Sequence, residues 1–437
     1  MNKTNLRFSA MILAGALLVS SCGNDDDVKP TPSNEPEFPT EFSTKTVEQN
    51  KESLEDNGIA LINSVNSLKS ASGIKTSIAF GSHLDGAGLP ASLGGRLNAN
   101  QGIRIISLLS SFGSGSTSAS KTLSGMRSAA DEFTSFQQEF NDAVGVYTYS
   151  KANDTWTYEK SGDKIVFKFP STENGTTNNA EYSISDYKGV TISSGLGGDN
   201  YTGDYPTGLK AALTVDGTKK MGYEFAAAYN KDGDPESASI AISIDQYMLK
   251  YSVVNTVSEA KVDYSLTEGD KNLLSFGLRG AGSFSSEAVQ GSEEGTDIVA
   301  NAGAYFQIMN IKFSGELDAT KLRQALESAE SAQATAAAWN ANYKLLVFYA
   351  DSKEKIAESE FYSFTETEEY EACDWIWNEG TQDYDVECQT YTEDYDRMEI
   401  RMIFADGTKS DLQTYTEVGF SDLQTKLEQF VEDLDGE

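Results

Sequence analysis

The stretch that decides the fold is "LKAALTVDGTKKMGYEFAA", residues 209–227. Apolar side chains stand at every second position on both sides of Asp216-Gly217. The alternating apolar residues are Leu209, Ala211, Leu213, Val215, Met221, Tyr223, Phe225 and Ala227. A period of two indicates a half-buried β-strand, and Asp-Gly is typical of a two-residue hairpin turn. The stretch therefore predicts an antiparallel hairpin with one apolar face.

The same pattern repeats along the middle of the chain. Turn-forming residues recur in "NKDGDPES" at 230–237 and in "TEGDKN" at 267–272, with alternating strands on either side. Short connections between strands of this length favour antiparallel neighbours. We therefore predict a long, curved antiparallel β-meander over residues 144–315.

Residues 44–143 have the helical period instead. Thr46 and Gln49 have the spacing of a capping box, and apolar residues then recur three or four positions apart. The first periodic set is Leu54, Leu61, Ile62, Val65 and Leu68; the second runs from Ile103 to Phe112, and the third from Leu123 to Phe140. We expect these segments to form helices packed against the sheet.

Residues 316–437 contain segments with the helical period and segments with the strand period of two. An alanine-rich segment starting at Asp318 predicts a helix that can lie close to the sheet, because its side chains are small. Acidic hairpins follow, and a last amphipathic helix is expected between Phe420 and Leu434. The predicted fold class is α+β: a meander with N-terminal helices and an alanine-rich helix packed against it, plus a small C-terminal hairpin and helix region.

The N-terminus has the layout of a secretory leader. Lys3 and Arg7 precede an apolar run from Met11 to Val19, which is shorter than the ~20 apolar residues of a membrane-spanning helix. Val19-Ser20-Ser21-Cys22 resembles the lipobox of bacterial lipoproteins. The resemblance implies that residues 1–21 are a signal peptide, that Cys22 is acylated, and that the acyl chains anchor the protein in a lipid bilayer.

The residues after Cys22 refine this location. Gly23 departs from the inner-membrane retention signal of enteric lipoproteins, and Asp25-Asp26-Asp27 is similar to the export tag of Bacteroidetes-type surface lipoproteins. The resemblance implies an extracytoplasmic protein anchored in the outer membrane and exposed on the cell surface. Residues 22–43 are rich in proline and acidic residues, which predicts an extended tether between the lipid and the folded part.

The charge balance restricts the partners. With 67 acidic residues against 34 basic ones, the formal net charge is −33. A surface this negative repels nucleic acid and anionic lipid, so neither is expected as a partner. Two interpretations of the acidity stay open: it keeps a secreted protein soluble, or clustered carboxylates bind calcium.

Cys373 and Cys388 are the two cysteines that remain once Cys22 is acylated. Two strands meeting at Asn378-Glu379-Gly380 would place them opposite each other near the end of a hairpin. A disulfide is the expected outcome in an oxidising compartment, whereas a zinc site would need four ligands.

The same hairpin carries the candidate ligand-binding residues Trp375, Trp377 and Tyr384. The two tryptophans lie two positions apart and thus on one face of a strand, as a stacking platform for a sugar ring would be. Two tryptophans buried against the rest of the domain would have the same spacing. Asp374, Asp383 and Asp385 are candidates for a calcium site, although their spacing matches no EF-hand loop.

His83 is the single histidine, and Ser82 and Asp85 stand beside it. These are the residue types of a hydrolase triad, but sequence neighbours seldom have triad geometry, and "GSHLDG" lacks the elbow around a nucleophilic serine. We therefore nominate no catalytic residue. No cofactor and no resident metal are expected.

The predicted function is that of a non-enzymatic, surface-displayed or periplasm-facing lipoprotein that acts as a binding protein or scaffold. Its ligand is a hydrophobic molecule between sheet and helices, or a glycan or surface protein bound at the C-terminal hairpin. In architecture the predicted fold is similar to the LolA and LppX lipoprotein carriers, whose open sheet encloses helices. Two alternatives stay open: a secreted glycan hydrolase that uses paired carboxylates, and a purely structural or adhesive lipoprotein.

Overall fold

The computed structural model describes residues 38–85, 136–192, 203–230, 233, 235–292, 298–378, 380, 382–411, 420, 422–423 and 425–426. Within them lie the helices α1 Val47–Lys69, α2 Ser72–Asp85, α3 Phe136–Ala143, α4 Ser286–Gly291, α5 Ala319–Leu326 and α6 Ala332–Asn342. The strands are β1 Gly145–Ser150, β2 Thr155–Glu159, β3 Ile165–Phe169, β4 Ala180–Ile192, β5 Gly203–Val215, β6 Thr218–Tyr229, β7 Pro235–Ile244, β8 Tyr247–Asn255, β9 Glu259–Glu268, β10 Lys271–Gly282, β11 Val299–Ile308, β12 Ile311–Asp318, β13 Tyr343–Tyr349, β14 Lys355–Asn378, β15 Asp383–Phe404 and β16 Lys409–Ser410.

All sixteen strands of the described residues belong to one sheet. From β3 to β16 each strand pairs with the next one in sequence, so this part of the sheet is a meander, as predicted. The fold class α+β is confirmed. One pair differs from the expected antiparallel pattern: β1 pairs antiparallel with β2 and parallel with β3. The C-terminal strands β13 to β16 continue the same sheet.

The predicted hairpin at residues 209–227 is formed by β5 and β6. Asp216 and Gly217 both have positive φ angles, 49° and 75°. Two successive residues in this region characterise a type I′ turn, whose twist matches that of the flanking strands. A register shift between Leu213 and Thr214 then places Leu213 opposite Met221, so that the alternating apolar residues of both strands share one face.

That apolar face continues across the sheet. Aromatic and aliphatic side chains align from strand to strand in one row, which comprises Ile240, Tyr251, Tyr264, Phe276, Phe306, Phe313 and Val347. Cross-strand apolar pairs of this kind each stabilise a sheet by roughly 0.2–1 kcal/mol. Two of these rings, Tyr264 and Phe276, stack with their centroids 5.3 Å apart.

Helices cover parts of this face. Phe80 of α2 and Phe140 of α3 pack in a cluster with side chains of β1 to β7. Leu61 and Val65 of α1 pack on Leu266 and Leu273, in a second cluster. The start of α1 contributes to a third cluster with residues of β12 to β15. The N-terminal helices therefore pack against the sheet, as the sequence predicts.

The helix boundaries follow local capping. Thr46 and Gln49 form the expected capping box at the start of α1, and Asp318 caps α5 through the Lys321 N–H. The alanine-rich segment, expected as one helix, is two helices. The break follows α5 because the Ser331 hydroxyl accepts a hydrogen bond from the Ala334 N–H and starts α6.

Several predicted elements lie outside the described residues. The predicted helix from Ile103 to Phe112 and the first part of the next one are among them, as are the leader, Cys22 and most of the tether. Of the predicted last helix, residues 422–423 and 425–426 are described and helical, whereas Phe420 is described and lies outside a helix. In the part of the chain that is described, no helix is long and apolar enough to span a membrane.

Candidate functional site: the C-terminal ribbon

The longest strands, β14 and β15, form a hairpin that extends far past its neighbours. Strand β13 pairs with β14 only as far as Glu358, and β16 pairs with β15 only at Met402 and Ile403. The two long strands pair with each other without a register shift from Ala357–Phe404 to Asn378–Asp383. We call residues 363–398 the ribbon. At ~3.3 Å per residue, each of its strands is about 50 Å long.

The ribbon is exposed on both faces. All side chains that the structure describes between Thr365 and Trp377, and between Val386 and Arg397, are exposed. A two-stranded hairpin of this kind is at best marginally stable in water. Its stability must therefore come from links between its own strands.

One such link is the Cys373–Cys388 disulfide, which the sequence predicts. The two Cα atoms are 4.0 Å apart, which identifies a non-hydrogen-bonded pair, the kind in which facing side chains lie closest. We call the face that carries this bond the disulfide face. It contains the odd-numbered residues of β14 from Ser363 to Trp377 and their partners on β15.

The tip of the disulfide face is apolar. Trp375 and Trp377 are 70% and 50% exposed, and Val386, opposite Trp375, is also exposed. Tyr384 pairs with Trp377 along the backbone, and its side chain lies outside the described part. The backbone register thus places the three candidate ligand-binding residues at one end of one face. The interpretation that the tryptophans are core residues is wrong. We call Trp375, Trp377 and Val386 the tip patch.

Behind the tip patch the disulfide face is acidic. Thr365 and Thr367 donate hydrogen bonds to Asp396 and Asp394 across the ribbon. Nearer the disulfide, two more carboxylates follow on the same face of β14. These are Glu369 and Glu371, which are exposed.

The opposite face links the strands with rings and ion pairs. Tyr370 stacks on Tyr391, with ring centroids 5.7 Å apart. Arg397 forms ion pairs with Glu366 and Glu368, and these bonds raise the pKa of its guanidinium. Sequence analysis missed these pairs, although opposite charges at facing positions are visible once the register is known.

At the base, a charged cluster joins the ribbon to the sheet. Lys409 and Arg401 both bind the carboxylate of Glu360, at 2.9 and 2.7 Å. The hydrogen bond from Lys409 is the main cause of a lowered pKa of Glu360, and Arg401 adds to it. The Glu360 carboxylate therefore stays ionised, and its ion pairs join β14, β15 and β16 at the base of the ribbon.

The calcium candidates do not form a recognisable site. Asp374 is exposed and pairs with Glu387, while Asp383 and Asp385 pair with Asn378 and Ile376. The side chains of Asp383 and Asp385 lie outside the described part. Over the described residues, no group of three potential metal ligands is found.

His83 lies in the core, where it is 2% exposed. Its Nε2 donates to the Pro170 carbonyl at 3.2 Å, and its ring packs on Tyr149. The Ser82 hydroxyl donates to the Ile78 carbonyl instead of to the histidine. His83 therefore has a structural position between α2 and the sheet, and the side chain of Asp85 lies outside the described part.

Comparisons with known proteins add no assignment. No protein family, no curated protein and no solved structure matches the chain. The lipobox and the similarity to lipoprotein carriers therefore stay predictions from the sequence, and the ribbon is interpreted from its own geometry.

Proposed function

We propose that the protein is an outer-membrane-anchored, surface-exposed lipoprotein that acts as a non-enzymatic binding protein, and that the ribbon is its binding arm. The observation that carries this proposal is the tip patch. Two tryptophans stand exposed at the end of a projecting hairpin, although burying a large aromatic side chain stabilises a protein by roughly 1.5–3 kcal/mol.

Exposed tryptophans are characteristic of binding surfaces. Trp and Tyr are enriched among the residues that contribute most to protein–protein affinity. The ribbon presents them away from the sheet, and the disulfide holds the two strands together directly behind them. Because the tip projects outward, it suits insertion into a partner better than the enclosure of a small ligand, for which sites are concave.

The anchor supports the same function. A protein held by acyl chains on Cys22 and lifted by the tether of residues 22–43 would present its ribbon to molecules outside the cell. The carboxylates that the structure describes in the ribbon are exposed along a projecting hairpin, and this arrangement favours binding over the hydrolase alternative.

The anchor is tested by labelling. The full-length chain is expressed in a Gram-negative host that is fed an alkyne analogue of palmitate. We expect label on the wild type and on the Cys373→Ser/Cys388→Ser variant, and none on Cys22→Ser. Protease added to intact cells should digest the wild type. A labelled Cys22→Ser variant, or full protection from protease, contradicts the proposed location.

The binding arm is tested by photo-crosslinking on intact cells. Val386, in the tip patch, is replaced by benzoylphenylalanine, and Val190, which is similarly exposed at 40%, serves as the matched control. We expect a discrete crosslinked product at position 386 that disappears in a Trp375→Ala/Trp377→Ala background. Absence of a product at 386, or the same product at 190, refutes the binding arm.

A further inference from the structure

The backbone of β14 has a free edge along the ribbon. At its base, the Asn340 side chain donates to the Phe361 carbonyl at 2.8 Å and accepts from the Phe361 N–H at 2.7 Å. The polar backbone groups of Phe361 therefore point away from β15. Because this direction alternates along a strand, and no register shift interrupts the pairing with β15, the odd-numbered residues from Ser363 to Trp377 point the same way.

The disulfide confirms this alternation independently. Cys373 occupies a non-hydrogen-bonded pair with Cys388, so its own N–H and C=O point outward. Among the described strands, none pairs with this edge of β14 beyond Glu358. Unpaired edges of this length are templates for an added strand.

The side chains next to this edge have a defined order. Glu369, Glu371, Trp375 and Trp377 all lie on the disulfide face of β14. Two carboxylates ~7 Å apart are thus followed, ~13 Å farther along, by two indole rings ~7 Å apart. Both glutamates are exposed, and they lie opposite Thr392 and Thr390 rather than opposite a basic residue. A strand added at the edge would place its side chains opposite these four.

The charge of the ribbon indicates which kind of molecule can bind at the free edge of β14. The ribbon contains twelve carboxylates and one arginine, a net formal charge of −11. A second copy of the ribbon would set like charges opposite each other, which destabilises strand pairing. Anionic lipid is repelled for the same reason. A basic strand has the complementary charge, and complementary charge also raises the rate of association.

We propose that the free edge of β14 binds an extended basic segment of a partner protein by strand addition. Two alternate Lys or Arg side chains of the partner lie opposite Glu369 and Glu371, and two alternate apolar side chains contact Trp375 and Trp377. Backbone hydrogen bonds supply the affinity, and the alternating side chains supply the specificity. This inference rests on the proposed function of the ribbon as a binding arm.

The test uses synthetic peptides with the predicted spacing. The probe is fluorescein-labelled TKTKTTTVTVT, together with its reversed sequence for the antiparallel arrangement. One control peptide replaces lysine by glutamate, and another carries N-methyl groups at alternate backbone positions, which blocks strand pairing. Binding to the full-length chain in detergent is measured by fluorescence anisotropy at ~0.15 M salt, where the Debye length is about 8 Å.

Three variants distinguish binding of the peptide at these four side chains from its attraction to the overall negative charge of the protein. Glu369→Gln/Glu371→Gln should weaken binding about tenfold, as the loss of two exposed ion pairs predicts. Trp375→Ala/Trp377→Ala should weaken it at least 30-fold, as for residues that dominate an interface. Glu52→Gln/Glu173→Gln removes the same charge from two exposed positions outside the ribbon and should change binding less than twofold.

The outcomes are distinguishable. The inference is supported when the lysine peptide in one orientation follows this order of variants and N-methylation weakens it more than tenfold. It is overturned when no peptide binds saturably, when the control variant weakens binding as much as Glu369→Gln/Glu371→Gln, or when the N-methylated peptide binds equally well. If the peptide test fails but the crosslink at Val386 is still observed, the proposed function of the ribbon as a binding arm stands and only the strand-addition inference is overturned. If a neutral cello-oligosaccharide competes with that crosslink, the partner is a glycan and not a basic peptide strand.

Discussion

Removing the disulfide should open the ribbon and leave the sheet folded. The change is Cys373→Ser/Cys388→Ser. The bond closes a loop with a sequence separation of 15. A cross-link that closes a loop of this length lowers the conformational entropy of the unfolded chain, which stabilises the folded state by about 3 kcal/mol. Since 1.4 kcal/mol corresponds to a factor of ten, local opening of the ribbon should become about 100-fold more frequent.

Hydrogen exchange followed by mass spectrometry measures this opening. The amides of even-numbered residues such as Tyr370, Ala372 and Asp374 point towards β15 and are protected only by that pairing. We expect their exchange to accelerate about 100-fold in the variant. Exchange in β13 and in β3 should not change, because the ribbon beyond residue 363 has no third strand among the described elements.

Two results would refute this reasoning. Unchanged exchange in the ribbon would show that the rings and ion pairs of its opposite face hold the strands without the disulfide. Faster exchange in β13 would show that ribbon and sheet open as one unit, although proteins commonly open in separate cooperative parts. The wild type treated with a reductant serves as a control for the substitutions themselves.

Three further predictions concern single side chains. Burial raises the pKa of Asp245, but hydrogen bonds from Ser72 and Gly73 at the start of α2 outweigh it and lower that pKa. The ionised Asp245 carboxylate thus stabilises the fold above about pH 4, and this stabilisation is lost as the pH falls through the lowered pKa. Asp245→Asn should therefore lower the free energy of unfolding by about 1 kcal/mol at neutral pH. Measured by urea unfolding, the stability of this variant should also depend less on pH on the acid side. Phe169→Ala should lower the free energy of unfolding by about 3–5 kcal/mol in the same assay, because the ring is fully buried. Arg397→Gln should speed hydrogen exchange in the ribbon without lowering the melting temperature, since its ion pairs lie on the exposed ribbon.

The local features of the fold could be predicted from the sequence because short-range chemistry determines them. Asp216-Gly217 permits the two positive φ angles of a type I′ turn, and the alternation around it selects the face. The spacing of Cys373 and Cys388 about a turn predicts their pairing. These features depend on a few neighbouring residues, so the sequence alone was sufficient.

The exposure of the tip patch could not be predicted in the same way. Alternation shows that Trp375 and Trp377 share a face, but it contains no information about what covers that face. Whether a third strand lies beside the tip depends on the length of β13, which ends 26 residues before Trp375. Strand length was the one available signal, since β14 has 24 residues and β13 has seven.

The acidity of the ribbon and its free edge are best explained together. An unpaired edge about 50 Å long is a hazard for any protein, because identical edges pair with each other. Carboxylates at Glu369 and Glu371 oppose that pairing, since a second ribbon would bring another strongly acidic strand against them. The same charges favour a basic strand, so protection against self-association and selection of a partner follow from one set of residues. Screening by salt weakens both effects, whereas the contact with the two tryptophans is apolar and persists. Charge therefore determines which strands approach the edge, and the tip patch determines which of them stay bound.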